Sequence, residues 1–352
     1  LQAAMAAMDA GDTLIIKDGT YTGATNAIDS THKPPNGAAG AYTIVQAETD
    51  GGVIIDGEYT NSMFDLRDCS YIRFEGIIWG KDSGTVVTVG SVTEPHHIIF
   101  SKCGVFDGGQ FNASSDERFD GFSISYSHHI LFQDCFAYGN LRYAFYAANA
   151  AQQIVFRRCV ARIDSCNTET DIAGFMVYDS RQVEVQNCIA IDFSSSSSYY
   201  LEANAATAPF SFYVRDTESG YDVSDVYFRG CIAINNPLGY LMIGASGGMS
   251  GGSVSVTDTV LWDALYGAWI RCDNVSFDHC TIGTVDGAAG TSGSQGVYME
   301  TADEEVANSI IYDINGDYGL RAGAAWSASD YNCLYGNAAN YSALVTPGAH
   351  DI

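Results

Sequence analysis

Apolar and polar residues alternate with a period of two in short runs along most of the chain, which predicts β-strands rather than helices. One run recurs as Phe-x-x-Cys followed by small or apolar residues. Its first position is phenylalanine at 100, 132, 156, 228 and 277 and valine at 185, and copies without cysteine contain Phe74 and Val256. The copies lie roughly 20 to 45 residues apart, which is typical of a repeat unit.

A second strand follows most copies and usually opens with glycine, as in Gly121-Phe-Ser-Ile124 and Gly296-Val-Tyr-Met299. A single coil of short strands cannot bury its own apolar face, whereas stacked coils share a continuous core. The pattern therefore predicts an all-β solenoid of about ten coils. We expect residues 1–352 to form one domain.

Three further expectations concern the two ends of the chain and the longest interval between consecutive copies of the repeat. Residues 1–10 are rich in alanine and methionine, so they predict a helix that caps the first coil. The serine-rich stretch within residues 193–210 predicts a loop excursion beside the solenoid. Because the chain stops at Ile352, midway through what reads as another coil, we expect the native protein to continue.

Cysteine recurs at one position of the repeat. Of the 10 cysteines, those at 103, 135, 159, 188, 231 and 280 share it. Stacked coils would place them in an inward ladder, about one strand spacing apart, which is too far for disulfide bonds. We predict that these cysteines are buried as small hydrophobic residues.

The chain is acidic, with 42 Asp and Glu against 16 Lys and Arg and a net charge of −26. With 47% hydrophobic residues it can still build a large core. The absence of a basic stripe excludes nonspecific nucleic-acid binding, and the acidity argues against docking on anionic membranes. No apolar run is long enough to span a bilayer. Because the first residue is Leu1 rather than methionine, we expect a removed leader and a secreted or cell-surface protein.

These repeats resemble the right-handed parallel β-helix proteins of the pectin-lyase-like superfamily. Ala10–Tyr21 resembles their first coil, the Phe-x-x-Cys step resembles the turn that carries their asparagine ladder, and Ser329-Asp-Tyr-Asn332 resembles a late-coil motif of several polysaccharide lyases. The resemblance implies a single right-handed parallel β-helix. It leaves the activity open, because the fold carries lyases, hydrolases, epimerases and tailspikes. The Gly-His-Gly, Arg-Ile-Lys and Trp-Ile-Asp-His signatures of family members are absent.

In that superfamily the glycine-led strand lines the substrate cleft, so its outward side chains are the candidates for chemistry. Alternation predicts one outward column of Ser123, Tyr146, Met176, Tyr213, Leu241, Trp269, Tyr298 and Arg321, and a second that includes Tyr178, Arg215, Arg271 and Glu300. Aromatic rings pack on sugars and arginines hold carboxylates. We therefore predict that Tyr146, Trp269, Arg271, Tyr298 and Arg321 bind substrate, although strand propensity alone also favours exposed Tyr and Trp.

The leading function is a polysaccharide lyase that cleaves a uronic-acid polymer by β-elimination. In such an enzyme a cation or arginine neutralises the substrate carboxylate while a base removes the neighbouring proton. Arg142, Arg181 and Arg215 are the candidate neutralising groups, and Tyr178 and Tyr213, with Tyr146, are the candidate acids or bases. The alternatives are a noncatalytic glycan-binding or phage or cell-surface fibre module, and a glycoside hydrolase.

Carboxylates precede the glycine-led strands in neighbouring coils. Asp120, Asp164 and Asp171 are predicted to lie together, where they would either bind Ca²⁺ through oxygen ligands or face water. A hydrolase would instead pair Asp120 with Asp171, or Asp179 with Asp216. The net negative charge opposes an acidic polysaccharide partner, unless arginines concentrate on the groove or cations screen the repulsion. The oligomeric state stays open.

Two His-His dipeptides, His96-His97 and His128-His129, occupy matching positions one repeat apart. Stacking would make His96 a neighbour of His128, and His97 a neighbour of His129. Such pairs are either a transition-metal site or part of a polar turn ladder, because later repeats hold Gln152-Gln153 at the same place.

Overall fold

The computed structural model describes residues 1–90, 94–110, 119–166, 172–193, 209–216, 223–236, 239–243, 252–264, 267–285, 295–301, 304–327 and 329–352. Its helices are short. One α-helix spans Gln2–Met5 and one 3₁₀ helix spans Ala24–Asn26. The helical part of the predicted cap is therefore smaller than residues 1–10, although Met5 is buried against the first coil. No helix in the described part of the chain is long and apolar enough to cross a membrane.

Three parallel sheets run along the solenoid, and successive coils contribute neighbouring strands to each: in the described residues the first and second sheets have 12 strands and the third has 10. The first sheet contains β1 Thr13–Ile16, β3 Thr43–Ala47, β6 Ser70–Glu75, β9 His96–Ser101, β12 His128–Gln133, β15 Gln152–Arg157, β18 Arg181–Gln186, β21 Ser224–Arg229, β24 Val254–Thr257, β27 Val275–Asp278, β30 Glu305–Ala307 and β33 Ser329–Asp330. It has 12 strands in the described residues and the third sheet has 10, which is consistent with the predicted solenoid of about ten coils.

The second sheet pairs the strands that follow the cysteine turn. It contains β2 Gly19–Thr22, β4 Val53–Asp56, β7 Ile77–Gly80, β10 Gly104–Phe106, β13 Phe136–Tyr138, β16 Val160–Ala161, β19 Ile189–Ile191, β22 Ile232–Asn236, β25 Val260–Ala264, β28 Thr281–Val285, β31 Ile310–Ile314 and β34 Cys333–Tyr335.

The third sheet holds the glycine-led strands. It contains β5 Asp65–Leu66, β8 Val87–Gly90, β11 Phe122–Ser125, β14 Tyr143–Ala148, β17 Ile172–Tyr178, β20 Pro209–Arg215, β23 Gly239–Ile243, β26 Ala268–Ile270, β29 Gln295–Met299 and β32 Tyr318–Ala322. β20 begins at the end of the predicted excursion, and Phe193 at its start is buried in the core. The rest of that excursion, residues 194–208, lies outside the described residues.

Two stacks of phenylalanine rings fill the core. Phe100 and Phe132 stack at 4.8 Å between ring centroids on the first sheet, and Phe145 and Phe175 stack at 4.9 Å on the third. The two stacks meet across the interior, for example Phe145 against Phe156 at 5.5 Å. Because identical positions of successive strands lie directly above one another, each ring packs on the equivalent ring of the next coil. The inward half of the repeat pattern is therefore the core.

The cysteine turn bends the chain between the first and second sheets. The residue before the cysteine has a positive φ, as at Asp134 (57°), Arg158 (53°) and Asn187 (52°). This single left-handed residue forms the corner. At the next position the Cys159 backbone N–H points to Cys188 Sγ at 3.3 Å. Later coils replace sulfur with oxygen, so that the Cys280 N–H donates to Ser309 Oγ at 3.1 Å and the Ser309 N–H to Asn332 Oδ1 at 2.9 Å.

The structure confirms the predicted cysteine ladder. None of the ten cysteines, all of which lie in the described residues, forms a disulfide bond, and every one except the half-buried Cys333 is buried. Burial raises the pKa of the Cys69 and Cys231 thiols to about 12. The thiolate, which is the reactive form, is therefore both scarce and inaccessible at these buried positions.

A thiol-reactive reagent such as Ellman's reagent is expected to modify about one thiol per native chain, that of Cys333, and all ten after unfolding. Measuring released thionitrobenzoate with and without denaturant gives both numbers. Rapid modification of several thiols in the native protein would show that the ladder is open to solvent.

Candidate functional site

The outer face of the third sheet carries the predicted outward column. The column is in register through Ser123, Tyr146, Met176, Tyr213, Met242, Trp269, Tyr298 and Arg321. One predicted member is wrong, because Met242 rather than Leu241 takes the place beside Tyr213. Gly239 pairs with Phe210 and not with Ser211, so counting two residues from the opening glycine misplaces this strand by one. Tyr178 and Arg215 are adjacent in the second column, as predicted.

In the middle of this face, a second apolar cluster lies outside the core. We call it the central cluster, and its buried members are Tyr143, Ala173, Met176, Phe210 and Tyr213, with Tyr146 and Tyr178 packed at its edge. Tyr213 is only 2% exposed, although it belongs to the outward column. Its side chain is thus held among aromatic neighbours, with Phe210 at 5.4 Å between ring centroids. Tyr213 contributes to the shape of this face more than to an open groove.

A buried ion pair supports the central cluster. Arg142 Nε and Nη2 lie 3.0 and 3.1 Å from the two carboxylate oxygens of Asp120, so the guanidinium donates two parallel hydrogen bonds. The side chains are only 15% and 7% exposed. The same guanidinium lies 4.1 Å above the ring of Tyr143. Burial raises the pKa of the Asp120 carboxyl, and the positive charge of Arg142 opposes that rise.

This ion pair involves two of the predicted site residues, and each of them already has a charged partner. Arg142, a candidate neutralising group, already has Asp120 as its carboxylate partner. Asp120, a candidate Ca²⁺ ligand, already has a cation. Asp164 pairs with Arg162 at 2.8 Å in a more exposed position, and Asp171 lies outside the described residues. Within the described ranges, no three carboxylates gather closely enough to share one ion. Ca²⁺ binding stays a prediction.

Next to the ion pair, Tyr146 and Tyr178 lie at the edge of the central cluster, where Arg215 meets Tyr178. The rings of Tyr146 and Tyr178 meet edge to face with 6.3 Å between centroids. The guanidinium of Arg215 lies 5.6 Å above the ring of Tyr178. Burial, followed by the nearby charge of Asp120, raises the pKa of the Tyr146 phenol. Tyr146 is therefore protonated at neutral pH and suits the role of proton donor rather than base.

Arg181, the remaining predicted catalytic residue, lies elsewhere. It belongs to the first sheet, opens β18 and is exposed. Its Nε donates a hydrogen bond to Gln152 Oε1 at 3.1 Å, within the polar ladder of that sheet. The chain turns between Tyr178 and Arg181, so three residues of separation carry the side chain onto a different face of the solenoid.

Towards the C-terminal coils, the third sheet carries a half-buried aromatic–arginine strip made of Trp269, Arg271, Tyr298 and Arg321. The Trp269 and Tyr298 rings stack at 6.2 Å with 25° between their planes. Arg271 lies 5.4 Å over Trp269, and Arg321 lies 4.8 Å over Tyr298. All four were predicted to bind substrate, and the structure brings them together.

Glu300 completes the strip. Its carboxylate accepts hydrogen bonds from Trp269 Nε1 at 2.7 Å and from Arg271 Nε at 3.2 Å. Arg321 is balanced more loosely by Asp317 at 3.6 Å. Alternation puts Glu300 in the second outward column, but its contacts depend on how two coils stack, which the sequence pattern does not contain. The strip therefore consists of two stacked rings, each with an arginine over it, and both arginines are paired with carboxylates.

A groove of about 550 Å³ lies on another face, along the first sheet. Its lining includes His129, Gln153 and Gln182 from the polar ladder, together with Arg157 and Tyr227. None of the predicted catalytic residues lines it.

Comparison with known proteins establishes the fold and not the family. No family model matches the chain, and no curated protein matches it significantly. Among solved structures, the A-module of a mannuronan C-5 epimerase from Azotobacter vinelandii is similar with a TM-score of 0.59 and 11% identity, covering 100% of this chain and 94% of that one. A family 28 exopolygalacturonase from Yersinia enterocolitica has a TM-score of 0.55 at 11% identity over 99% and 74%.

A pectate lyase is similar with a TM-score of 0.53 and 16% identity over 94% of this chain and 73% of that one. The prediction of a right-handed parallel β-helix is thereby confirmed. At these identities the likeness extends to the path of the backbone and not to any catalytic residue.

Proposed function

We propose that this protein acts on a polysaccharide along the outer face of the third sheet, and that it cleaves a uronic-acid-containing polymer there by β-elimination. The observation that carries the proposal is the aromatic–arginine strip. The two half-buried rings offer apolar surface to a sugar, and the two guanidinium groups beside them would hold polar or charged substituents of that sugar. The similar solved structures include an epimerase, a lyase and a hydrolase named for polymeric sugars, which supports this substrate class.

For the chemistry, we assign Arg215 and Tyr178 to the reacting sugar. Arg215 would hold the substrate carboxylate and stabilise the negative charge that develops on it when the neighbouring proton leaves. Tyr178, acting as the phenolate beside the Arg215 guanidinium, would take that proton. As the C=C bond forms and the C–O bond breaks, the protonated Tyr146 would give its proton to the departing sugar oxygen. Arg142 acts as a positioning residue, since its guanidinium is held by Asp120 and lies over Tyr143.

The net charge of −26 opposes the approach of a polyanion, so the local arrangement matters. Arg271 and Arg321 are 26% and 34% exposed, and each has an acidic partner that a substrate carboxylate could replace. Ion pairs that water reaches in this way are weak, so a substrate carboxylate could displace the acidic partner at little cost in free energy. Because the polymers of this class lie outside cells, the proposal includes export of the protein.

A noncatalytic glycan-binding function is the second candidate. Met176 and Tyr213 are 0% and 2% exposed, so the middle of the outward column is closed to solvent in the described structure. A buried middle of the column beside the half-buried aromatic–arginine strip also fits a protein that binds a polymer without cleaving it.

The experiment is an ultraviolet assay for the unsaturated product over a panel of mannuronate, guluronate, galacturonate and glucuronate polymers. We expect activity on one of them, and a loss of about 100-fold in kcat/KM for Arg215→Ala. Arg229→Ala is the matched control, because Arg229 lies 4.7 Å over Tyr227 on the first sheet and should be dispensable.

The other outcomes are informative as well. New reducing ends without ultraviolet absorbance would replace the lyase by a hydrolase and direct attention to Asp179 and Asp216, which are buried on neighbouring coils. Binding without any cleavage would leave the glycan-binding candidate. Equal loss of activity in the Arg215 and Arg229 variants would contradict the assignment of Arg215 to the reacting sugar.

A further inference from the structure

Four histidines form a compact array on the first sheet, away from the proposed polysaccharide site. His96 and His128 stack with 4.9 Å between ring centroids and 8° between planes. His97 and His129 stack at 4.5 Å and 9°. The predicted neighbours are thus confirmed. Tyr71 closes one end by stacking on His97 at 4.5 Å.

The backbone of two coils holds this array in place. His96 pairs in register with His128, while His97 and His129 have φ values of 55° and 57° and leave the ladder of paired residues. This local bulge turns the second ring of each dipeptide back towards the first. As a result, Nδ1 of His96 lies 2.8 Å from Nδ1 of His97, and Nδ1 of His128 lies 2.6 Å from Nδ1 of His129.

The ring nitrogens therefore converge between the coils as well as within them. His97, His128 and His129 each offer one nitrogen, and these three atoms lie within 4.8 Å of one another. Three nitrogens bound to one zinc ion at 2.0–2.1 Å in tetrahedral geometry lie roughly 3.4 Å apart. The proposed site requires the three rings to rotate about their side-chain bonds until their nitrogens reach that separation.

We infer that His97, His128 and His129 bind a divalent transition-metal ion of the zinc, copper and nickel group, with His96 stacked against them as an additional ligand or support. Three imidazole nitrogens are the donor set that these ions prefer over Ca²⁺ or Mg²⁺. His129 is exposed and lines the groove of the first sheet, so one side of the ion would stay open to water. The histidines lie on the first sheet and the proposed polysaccharide site lies on the third, so metal binding does not depend on polysaccharide binding.

The next coil shows what the same positions look like without metal-binding side chains. Gln152 pairs in register with His128, and Gln153 has a φ of 55°, like His129. Glutamine is therefore accepted by this turn in both conformations. This makes His128→Gln with His129→Gln a variant that removes two ligands and retains the backbone that the turn requires.

The test is isothermal titration of the untagged full chain with Zn²⁺. We expect one ion per chain, and affinity about 100-fold weaker in the His128→Gln, His129→Gln variant. The control replaces His32, His279 and His350 with glutamine, since each lies 3.0–3.1 Å from an aspartate and could bind metal weakly. That triple variant should bind Zn²⁺ like the native protein.

Cu²⁺ provides a second readout, because electron paramagnetic resonance counts coordinating nitrogens directly. We expect coupling to three or more imidazole nitrogens in the native chain and fewer in the variant. If the double variant does not fold, the exposed single change His129→Gln replaces it. Absence of saturable Zn²⁺ binding, or binding that survives the double change and is lost in the control, would leave the array as a polar turn ladder.

Discussion

Replacing Arg142 with alanine is expected to lower the free energy of unfolding by about 3–5 kcal/mol, because it leaves the Asp120 carboxylate buried without its cation. Asp120 is 5% exposed and receives two guanidinium hydrogen bonds from Arg142. The same change removes the guanidinium that lies over Tyr143, so the central cluster loosens as well. Equilibrium unfolding in denaturant, followed by tyrosine and tryptophan fluorescence, measures the loss.

Arg158→Ala is the matched control for this variant. Arg158 makes the same two-pronged contact with Asp134, at 2.6 and 2.8 Å, but on the exposed surface. The change in the free energy of unfolding is expected to be within experimental error, since water replaces the contacts of an exposed ion pair. Equal destabilisation by the two variants would contradict the account of a buried, structurally required pair at Asp120.

The effect of Arg142→Ala also depends on pH. Burial raises the pKa of Asp120 in the folded state, and the Arg142 charge holds it down. In the variant the folded pKa rises further above the unfolded value, so the carboxyl prefers its protonated form when folded. Stability from such a group is present at low pH and is lost as pH rises through the folded pKa. The deficit should therefore be smaller in mildly acidic than in mildly alkaline buffer.

The second large effect is expected in the core. Phe145→Ala should lower the free energy of unfolding by about 3–5 kcal/mol, because it removes a fully buried ring and leaves a cavity. Phe145 is 0% exposed and stacks on Phe122 at 5.3 Å and on Phe175 at 4.9 Å. In a rigid stack, the neighbouring rings cannot collapse into the gap without shifting whole coils. Denaturant unfolding with a check of reversibility gives the value.

Phe136→Ala provides the comparison for Phe145→Ala. Phe136 is half-buried on the outer face of the second sheet, where it packs against Tyr138 at 6.0 Å between ring centroids. Its removal exposes no cavity, so the expected loss is about 1 kcal/mol. If Phe136→Ala lowers the free energy of unfolding as much as Phe145→Ala does, the stacked core rings are not the main source of stability.

The fold could be predicted because one feature of the repeat decides it. Each Phe-x-x-Cys copy encodes an inward ring, a left-handed corner and a small buried side chain, and every copy agrees with its neighbours. Phe132 and Cys135, for example, lie directly above Phe156 and Cys159 in the next coil. Later copies, such as those of Ser309 and Asn332, are harder to recognise because an oxygen takes the place of sulfur as the hydrogen-bond acceptor. Their sequences hide the repeat while keeping its geometry.

The site was less predictable because it depends on contacts between coils. The aromatic–arginine strip followed from alternation alone, since its members share one face of one sheet. The partnership of Arg142 with Asp120, and the enclosure of Tyr213, depend instead on how variable connections return the chain to the third sheet. The prediction that Leu241 belongs to the outward column was wrong because Gly239 pairs with Phe210, one residue earlier than the pattern suggested. This shifts the register of the whole strand by one residue.

A crystal structure of the protein with a bound oligosaccharide of the polymer identified in the assay would show where the substrate lies. The account predicts sugar rings on Trp269 and Tyr298, with a substrate carboxylate held by Arg215 or Arg271. An oligosaccharide bound instead in the groove of the first sheet, against Tyr227 and Arg157, with the third sheet bare, would contradict it.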